Sequence, residues 1–291
     1  MNPVIKAALW MSGAIVSFSS MAVAGRELSS ELDTFEIMTY RSIIGVCVVV
    51  SIAALSGHLG DIKFRNLRLH ALRNFVHFIG QNLWFLAVAL MVPLAQVFAL
   101  EFTSPIWVAL LSPLILRERL TPMRALAALM GFVGILIVAR PSPETIDTGI
   151  LAAAGAAIAF ALTSLFTKKL TRTENVTSIV FFLTSMQAIF GLITSGYDLD
   201  IALPSQSLLP YVVIVGVAGL FAQFCLTKAL SLAPATVVVP LDFARLPVIA
   251  VVGMILYNEP LDGLVFLGAA VIFAGNYLNI WSETRAPRKV A

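Results

Sequence analysis

Ten apolar runs, each closed by a short polar break, constrain this chain more than any other feature. They cover approximately residues 4–24, 34–56, 67–91, 94–116, 122–139, 148–170, 177–196, 208–231, 235–257 and 263–281. About 20 predominantly apolar residues cross the roughly 30 Å of bilayer hydrocarbon as an α-helix, and a helix satisfies its own backbone polar groups there. The sequence therefore predicts an all-α membrane protein with ten transmembrane helices. The break at Met91-Val92-Pro93 is the least distinct of the nine. Only 12% of the residues are charged while 59% are hydrophobic. Soluble domains carry about a quarter charged residues, so a soluble, fibrous or disordered chain is excluded. The loops are too short to hold a soluble domain, and no GxxxxGK[ST] phosphate loop occurs, so direct ATP-driven work needs a separate subunit.

The first run carries Lys6, an apolar core and Ala22-Val23-Ala24, which imitate a signal peptide and its cleavage site. Cleavage would leave nine runs and remove the repeat described below, so the run is read as a membrane span. Cys47 and Cys225 fall inside spans and read as small apolar packing residues. No disulfide framework, metal cluster or cofactor is expected.

The remaining charges report topology. Net charge is only +3, from 19 basic and 16 acidic residues, so nucleic acid is not an expected partner. With a cytoplasmic N-terminus, the inward loops hold Lys63, Arg65, Arg68 and Arg73, then Arg117, Arg119 and Arg124, then Lys168, Lys169 and Arg172, then Lys228. The tails add Lys6, Arg285, Arg288 and Lys289. The outward loops hold Arg26 and Arg140 but gather Glu27, Glu31, Asp33, Glu144, Asp147, Asp198, Asp200, Glu259 and Asp262. Basic residues accumulate on the cytoplasmic side, so both termini are placed there, in a bacterial-type inner membrane.

The chain also repeats. A shift of 141 residues aligns Pro93 with Pro234, Leu100 with Leu241, Glu101 with Asp242, Phe102 with Phe243, Glu118 with Glu259, Leu120 with Leu261, Phe132 with Phe273 and Gly134 with Gly275. A shift of 142 adds Gln81 with Gln223 and Ala87 with Ala229. Polar pairs and a proline in register point to an internal duplication, with halves 1–141 and 142–291. Each half has five spans, an odd number, so the second enters the membrane upside down. Inverted repeats are a signature of secondary transporters. The turn Leu116-Arg117-Glu118-Arg119-Leu120 becomes Tyr257-Asn258-Glu259-Pro260-Leu261, losing both arginines as the inversion requires. Glu118 and Glu259 read as structural groups near the start of the following helix, with gating as the alternative.

These segments resemble the EamA-like branch of the drug/metabolite transporter superfamily. The first half reads ALMVPLAQVFALEFTSPIWVALLSPLILRERLTPMRALAALMGFVG and the second ALSLAPATVVVPLDFARLPVIAVVGMILYNEPLDGLVFLGAAVIFAG. Arg41, early in the second span, matches the same pattern. The resemblance implies two inverted five-helix halves around a central cavity, with spans 3, 4, 8 and 9 among its lining. It implies no particular substrate. The glycine usual before the turn glutamate is Arg117 in one half and Asn258 in the other, which bears on the tightness of those turns.

A charge near a helix centre costs roughly 2.5–3.5 kcal/mol on insertion scales and so faces water or a partner. Glu101 and Asp242 lie well inside spans 4 and 9, as two acidic stations flanking the midplane, and Arg245 follows Asp242 at helical spacing. The pair Asp242 and Arg245 reads either as mutual neutralisation within the bundle or as a substrate or ion site. Pro105 and Pro247 read as packed kinks or as freed carbonyls lining a cavity. Gln81, Asn82 and His77 on span 3 and Gln223 on span 8 can bind a polar ligand or join helices. His77 is a candidate proton relay to Glu101 or a packed neutral side chain. Trp84 and Trp107 are candidates for stacking on substrate or for a wall. Arg41 and Arg73 read as snorkelling residues at span ends, and Gly131-x-x-Gly134 and Gly216-x-x-Gly219 as close helix packing.

The expected function is a secondary carrier of a small polar or amphipathic metabolite, amino-acid-like or cationic, working by alternating access. The substrate- or ion-binding residues are Glu101, Asp242, Arg245, Gln81, Gln223, His77, Trp84 and Trp107, with protons a candidate coupling ion. The resemblance also admits uptake of S-adenosylmethionine or riboflavin, and drug export. An intramembrane enzyme is disfavoured because no HExxH or paired GxGD-like aspartates occur and His58, His70 and His77 are the only histidines. A non-transporting membrane subunit is the remaining alternative.

Overall fold

The computed structural model describes residues 2–57, 59–92, 94–118, 121–139, 148–197, 201–258 and 263–285. Helices run as α1 (Pro3–Leu28), α2 (Thr34–Leu55), α3 (Leu67–Ala89), α4 (Leu94–Glu101), α5 (Ser104–Ile115), α6 (Pro122–Ala139) and α7 (Thr148–Leu170). They continue as α8 (Val176–Ser195), α9 (Leu209–Leu232), the single turn α10 (Ala235–Val238), α11 (Arg245–Tyr257) and α12 (Gly263–Arg285), with 3₁₀ turns at Leu59–Asp61 and Val239–Ala244. No strand occurs among the described residues. His58, Pro93, Arg119, Leu120, Arg140, Glu144, Asp147, Asp198, Asp200, Glu259, Pro260, Leu261, Asp262, Arg288 and Lys289, on which parts of the topology and repeat expectations rest, lie outside the described residues.

Local chemistry explains where helices begin. Asn2 accepts from Val4 N and places Pro3 in the first turn of α1, where its missing N–H is not needed. Asp33 and Glu36 form a reciprocal capping box on α2, and Asn175 caps α8 by accepting from Ser178 N. Six stretches among the described residues are long and apolar enough to cross a membrane: α1, α2, α7, α8, α9 and the run Ala235–Tyr257. Ser104–Ile115 and Pro122–Gly134 are shorter apolar helices. Large apolar side chains such as Leu9, Ile52, Leu114, Ile193 and Ile255 face outward, as in a protein solvated by lipid rather than water. The chain is an integral membrane protein.

The most extensive helix pairings are α1 with α9, α3 with α7, α6 with α12 and α2 with α8. Small residues permit them. A Cβ added at Gly216 would overlap Ile44, one at Gly219 would overlap Arg41, and one at Gly131 would overlap Phe243, which agrees with the close packing read from both glycine pairs. Cys47 is exposed and Cys225 buried, and neither is in a disulfide.

Spans 4 and 9 depart from the expected continuous helices. Span 4 breaks after Glu101 and restarts at Ser104, while span 9 tightens to a 3₁₀ turn over Val239–Ala244 and restarts at Arg245. Pro105 therefore sits in the first turn of α5 and Pro247 in the first turn of α11, not in the middle of a helix. A proline inside a helix removes a ladder bond and clashes with the preceding turn. Restarting the helix just before it avoids both.

Turn geometry is also duplicated. Arg117 ends α5 with φ 58° and Asn258 ends α11 with φ 52°. Both occupy the left-handed region without the glycine expected there, so the turns keep the glycine-like backbone. For L-residues that conformation costs roughly 1–2 kcal/mol, least for Asn. Arg117→Gly should therefore raise the thermal unfolding midpoint in detergent, and Asn258→Gly should change it less. A lower midpoint for Arg117→Gly in circular dichroism melts would show that the arginine side chain contributes more than its backbone strain removes.

Candidate functional site

Three charged groups meet where the two broken spans approach. Arg245 Nη2 lies 2.6 Å from Glu101 Oε1 and 2.6 Å from Asp242 Oδ2. The expected pair of separate acidic stations is thus one triad, with both carboxylates on the same guanidinium nitrogen. Glu101 ends α4 and Asp242 lies in the 3₁₀ turn, so the helix breaks bring the acids together. Trp84 Nε1 donates to Glu101 Oε2 at 2.7 Å, and the Ser104 hydroxyl reaches the carbonyls of Glu101 and Ala157. Arg245 is 2% exposed. Its guanidinium carbon lies 4.6 Å from the ring centre of Phe98, 4.9 Å from Phe18 and 5.3 Å from Phe102, distances that let the aromatic faces attract the cation. With both acids ionised the triad carries one net negative charge, which one proton or one cationic ligand group can neutralise.

The triad forms one pole of a cavity of about 60 Å³. Its lining includes His77, Gln81 and Trp84 of α3, Gln223 of α9, and Glu101, Asp242 and Arg245. Seven of the eight residues singled out from the sequence are therefore brought together. Trp107 is the exception. Along α5, Ser104, Pro105, Val108, Ala109 and Ser112 are buried, whereas Trp107, Leu110 and Leu114 form the outward row. Trp107 is 37% exposed and does not line the cavity. Asn82 turns its amide back to Phe78 O at 2.9 Å and does not line it either.

Part of the cavity lining is polar and unpaired. Both ring nitrogens of His77, Gln81 Oε1 and Thr163 Oγ1 are buried without a hydrogen-bond partner in the protein. Asp242 Oδ1 and Arg245 Nε share that condition. A buried polar atom without a partner costs about 1–3 kcal/mol, so these atoms suit water or a polar ligand. His77 makes no direct bond to Glu101, so the expected relay has no protein-only hydrogen-bond connection in this conformation.

Arg73 was expected to snorkel, and the structure corrects this. It is 1% exposed. Its guanidinium donates to Thr167 Oγ1 at 3.0 Å, Asn74 Oδ1 at 2.8 Å and Gln223 Oε1 at 3.0 Å. The last bond occupies Oε1 of Gln223, a residue of the cavity lining, and leaves its NH₂ group as the donor. Arg41 is likewise buried, at 5% exposure. Neither arginine reaches a water boundary because α8 and α9 pack over them. Sequence reasoning also missed Phe18 and Met21 of α1 and Phe160, Thr163 and Ser164 of α7, which complete the lining. Spans 1 and 6 correspond under the repeat, so the repeat itself was the available signal.

Comparison with known proteins then places the chain. The model of the EamA-like transporter family matches twice, over residues 5–140 and 147–281. A riboflavin transporter of Vibrio cholerae is 29% identical, with 98% of this chain and 96% of that protein covered. A riboflavin transporter of Rhizobium johnstonii is 30% identical over 98% of this chain and 94% of that protein. An S-adenosylmethionine uptake transporter of Rickettsia bellii is 26% identical over 96% and 95%. A crystal structure at 19% identity superposes with a TM-score of 0.76 over 96% of this chain and 98% of the other, which shows a shared fold. These matches span both halves and the full set of cavity-lining helices, and the chain belongs to the EamA-like transporter family.

Proposed function

We propose that the protein is a secondary carrier for a small organic cation or zwitterion of the S-adenosylmethionine type, moved by alternating access. Ten crossings are arranged as two inverted five-helix repeats, 1–141 and 142–291, with both termini in the cytoplasm and the protein in a bacterial inner membrane. The observation that carries the substrate reading is the triad. Its surplus negative charge sits in a cavity lined by buried polar atoms that lack hydrogen-bond partners in the protein.

Several observations support the inverted repeat. Matching each span to the one five later exchanges the α1/α9 pairing with the α3/α7 pairing and maps α2/α8 and α6/α12 onto themselves. The restarts at Ser104 and Arg245, and the left-handed turns at Arg117 and Asn258, obey the same 141-residue shift as the sequence. The cavity lining comes from spans 1, 3, 4, 6, 8 and 9, a set closed under that exchange.

The cavity, at about 60 Å³, is far below the roughly 300–1,000 Å³ of ligand pockets. Loading a metabolite therefore requires the halves to part, and the breaks in spans 4 and 9 are natural hinges. A second reading, riboflavin uptake, is favoured by two relatives of that name and by the unpaired neutral wall. Proteoliposome uptake of labelled S-adenosylmethionine against labelled riboflavin decides between the two. Uptake equal to empty liposomes for both, and for a panel of amines, would remove the carrier reading in favour of a non-transporting subunit.

Asp242→Asn makes the triad neutral and should weaken binding of a cationic substrate at least about tenfold, which corresponds to 1.4 kcal/mol, in ligand-induced thermal shifts. Unchanged affinity removes Asp242 from the site. Protonation of a triad carboxylate also cancels the surplus charge, so substrate affinity should fall as pH falls. Proton coupling through Glu101 is tested with Glu101→Gln in proteoliposomes, where unchanged transport and an unchanged response to an imposed pH gradient remove this residue from coupling.

Arg73→Lys keeps the charge but lacks the planar fork that holds Gln223. Transport KM should rise by about threefold or more while Vmax stays within about twofold, as expected when uniform binding is lost. A parallel loss of Vmax and of folded yield would instead mark Arg73 as purely structural.

A further inference from the structure

Arg41 presents an anomaly that the central cavity does not use. It lies on α2, buried to 5% exposure. Its guanidinium is laid so close along α9 that a Cβ added at Gly219 would overlap Nε. Nη1 has Met38 Sδ at 3.8 Å as its neighbour, a weak acceptor, and Nε is buried with no partner. Among the described residues no carboxylate lies within 4 Å of Arg41 or of Arg73. Arg73 and His77 both lie within the field of Arg41, and neither offers it a negative charge.

A guanidinium stays protonated in proteins, and an uncompensated charge in a membrane interior is strongly disfavoured. Arg245 meets this requirement with two carboxylates. Among the described residues Arg41 has none, which leaves room for a counter-charge supplied by a bound ion. Beside it lies a separate small cavity, lined by Arg41, Ser42, Gly45, Leu183, Thr184, Gln187, Gly216 and Leu220. Ser42 and Thr184 turn their hydroxyls to backbone carbonyls. Gln187 donates through Nε2 to Asn74 O, that nitrogen carries a second N–H, and its Oε1 is buried without a partner. The volume is about 10 Å³, close to one water-sized sphere. A phosphate, a sulfate or a carboxylate-bearing metabolite does not fit.

We infer that this cavity between α2, α8 and α9 binds a monoatomic anion of the halide class, held by Arg41. The ion is a resident counter-charge distinct from the transported substrate. It neutralises the positive layer formed by Arg41 and Arg73 and so lets α2 pack against α8 and α9. Bound selectively to the folded state at concentration c, it raises stability by RT ln(1 + c/Kd).

The test is thermal unfolding of the purified full-length protein in sodium chloride, sodium bromide, sodium gluconate and sodium sulfate at matched ionic strength. The midpoint should rise with the logarithm of chloride or bromide concentration above Kd and stay flat with gluconate and sulfate. Arg41→Gln should abolish the rise, or move its onset to an at least about tenfold higher concentration. Leu220→Phe, which keeps every polar group and fills the cavity, should do the same and serves if the arginine variant does not fold. Equal midpoints in all four salts would mean that water alone fills the cavity, and would overturn the proposal. So would a chloride response kept in Arg41→Gln or in Leu220→Phe, because the ion would then bind elsewhere.

Discussion

The contact between Arg245 and two carboxylates sets the terms for the rest of the molecule. In the low dielectric of a helix bundle, a guanidinium needs both charge and hydrogen bonds around it, and Glu101 and Asp242 supply both at 2.6 Å. Asp242 meets it at the i, i+3 spacing, and Glu101 comes from span 4 across 144 residues of sequence. Glu101 is the last residue of α4, and Asp242 lies within the 3₁₀ turn Val239–Ala244. Phe18, Phe98 and Phe102 then close around the cation. A single arginine therefore links both halves and fixes the surplus negative charge at their junction.

Such a junction is suited to exchange between two arrangements. A buried ion pair offers little net stability over a well-packed apolar contact, yet losing one partner is strongly unfavourable. A bundle held by such a triad resists partial separation and tolerates separation when a new cation takes the vacated carboxylate. On the proposed carrier mechanism, the substrate's positive group or a proton plays that part. The coupling then follows from charge balance at Nη2, without a conducting chain of residues between the two sides.

Much of this arrangement was legible in the sequence because membrane helices obey few rules. Run length gave the helix positions, and the boundaries fall close to the expected ones for α2, α6, α7 and α8. Glu101, Asp242 and Arg245 stood out because charge is rare in apolar runs, and the repeat paired the two acids. The triad itself was not legible, since sequence spacing shows the i, i+3 partner Asp242 but not a contact across 144 residues. Arg41 and Arg73 were misread for a related reason. Their positions near span ends suggest snorkelling, and only the packing of α8 and α9 over them, through Gly219 and Gln223, reveals burial. Trp107 lies on the outward row of α5, the wall alternative that the sequence left open, while Pro105, Val108 and Ser112 continue the inward face from Glu101.

The unpaired wall of the cavity carries the energetic argument further. His77, Gln81, Thr163, Asp242 and Arg245 together leave six buried polar atoms unsatisfied by the protein. At about 1–3 kcal/mol each, a dry cavity would oppose folding by several kcal/mol. A volume of about 60 Å³ accommodates on the order of four waters, each able to serve two or more of these atoms. Those waters also hold the place of a ligand. A substrate that brings its own donors and acceptors displaces them without stranding the wall, whereas an apolar compound of equal size strands all six. Selectivity for polar metabolites can thus reside in what the wall lacks. Arg73 strengthens it by fixing Gln223, a residue that could otherwise turn its amide to suit either kind of guest.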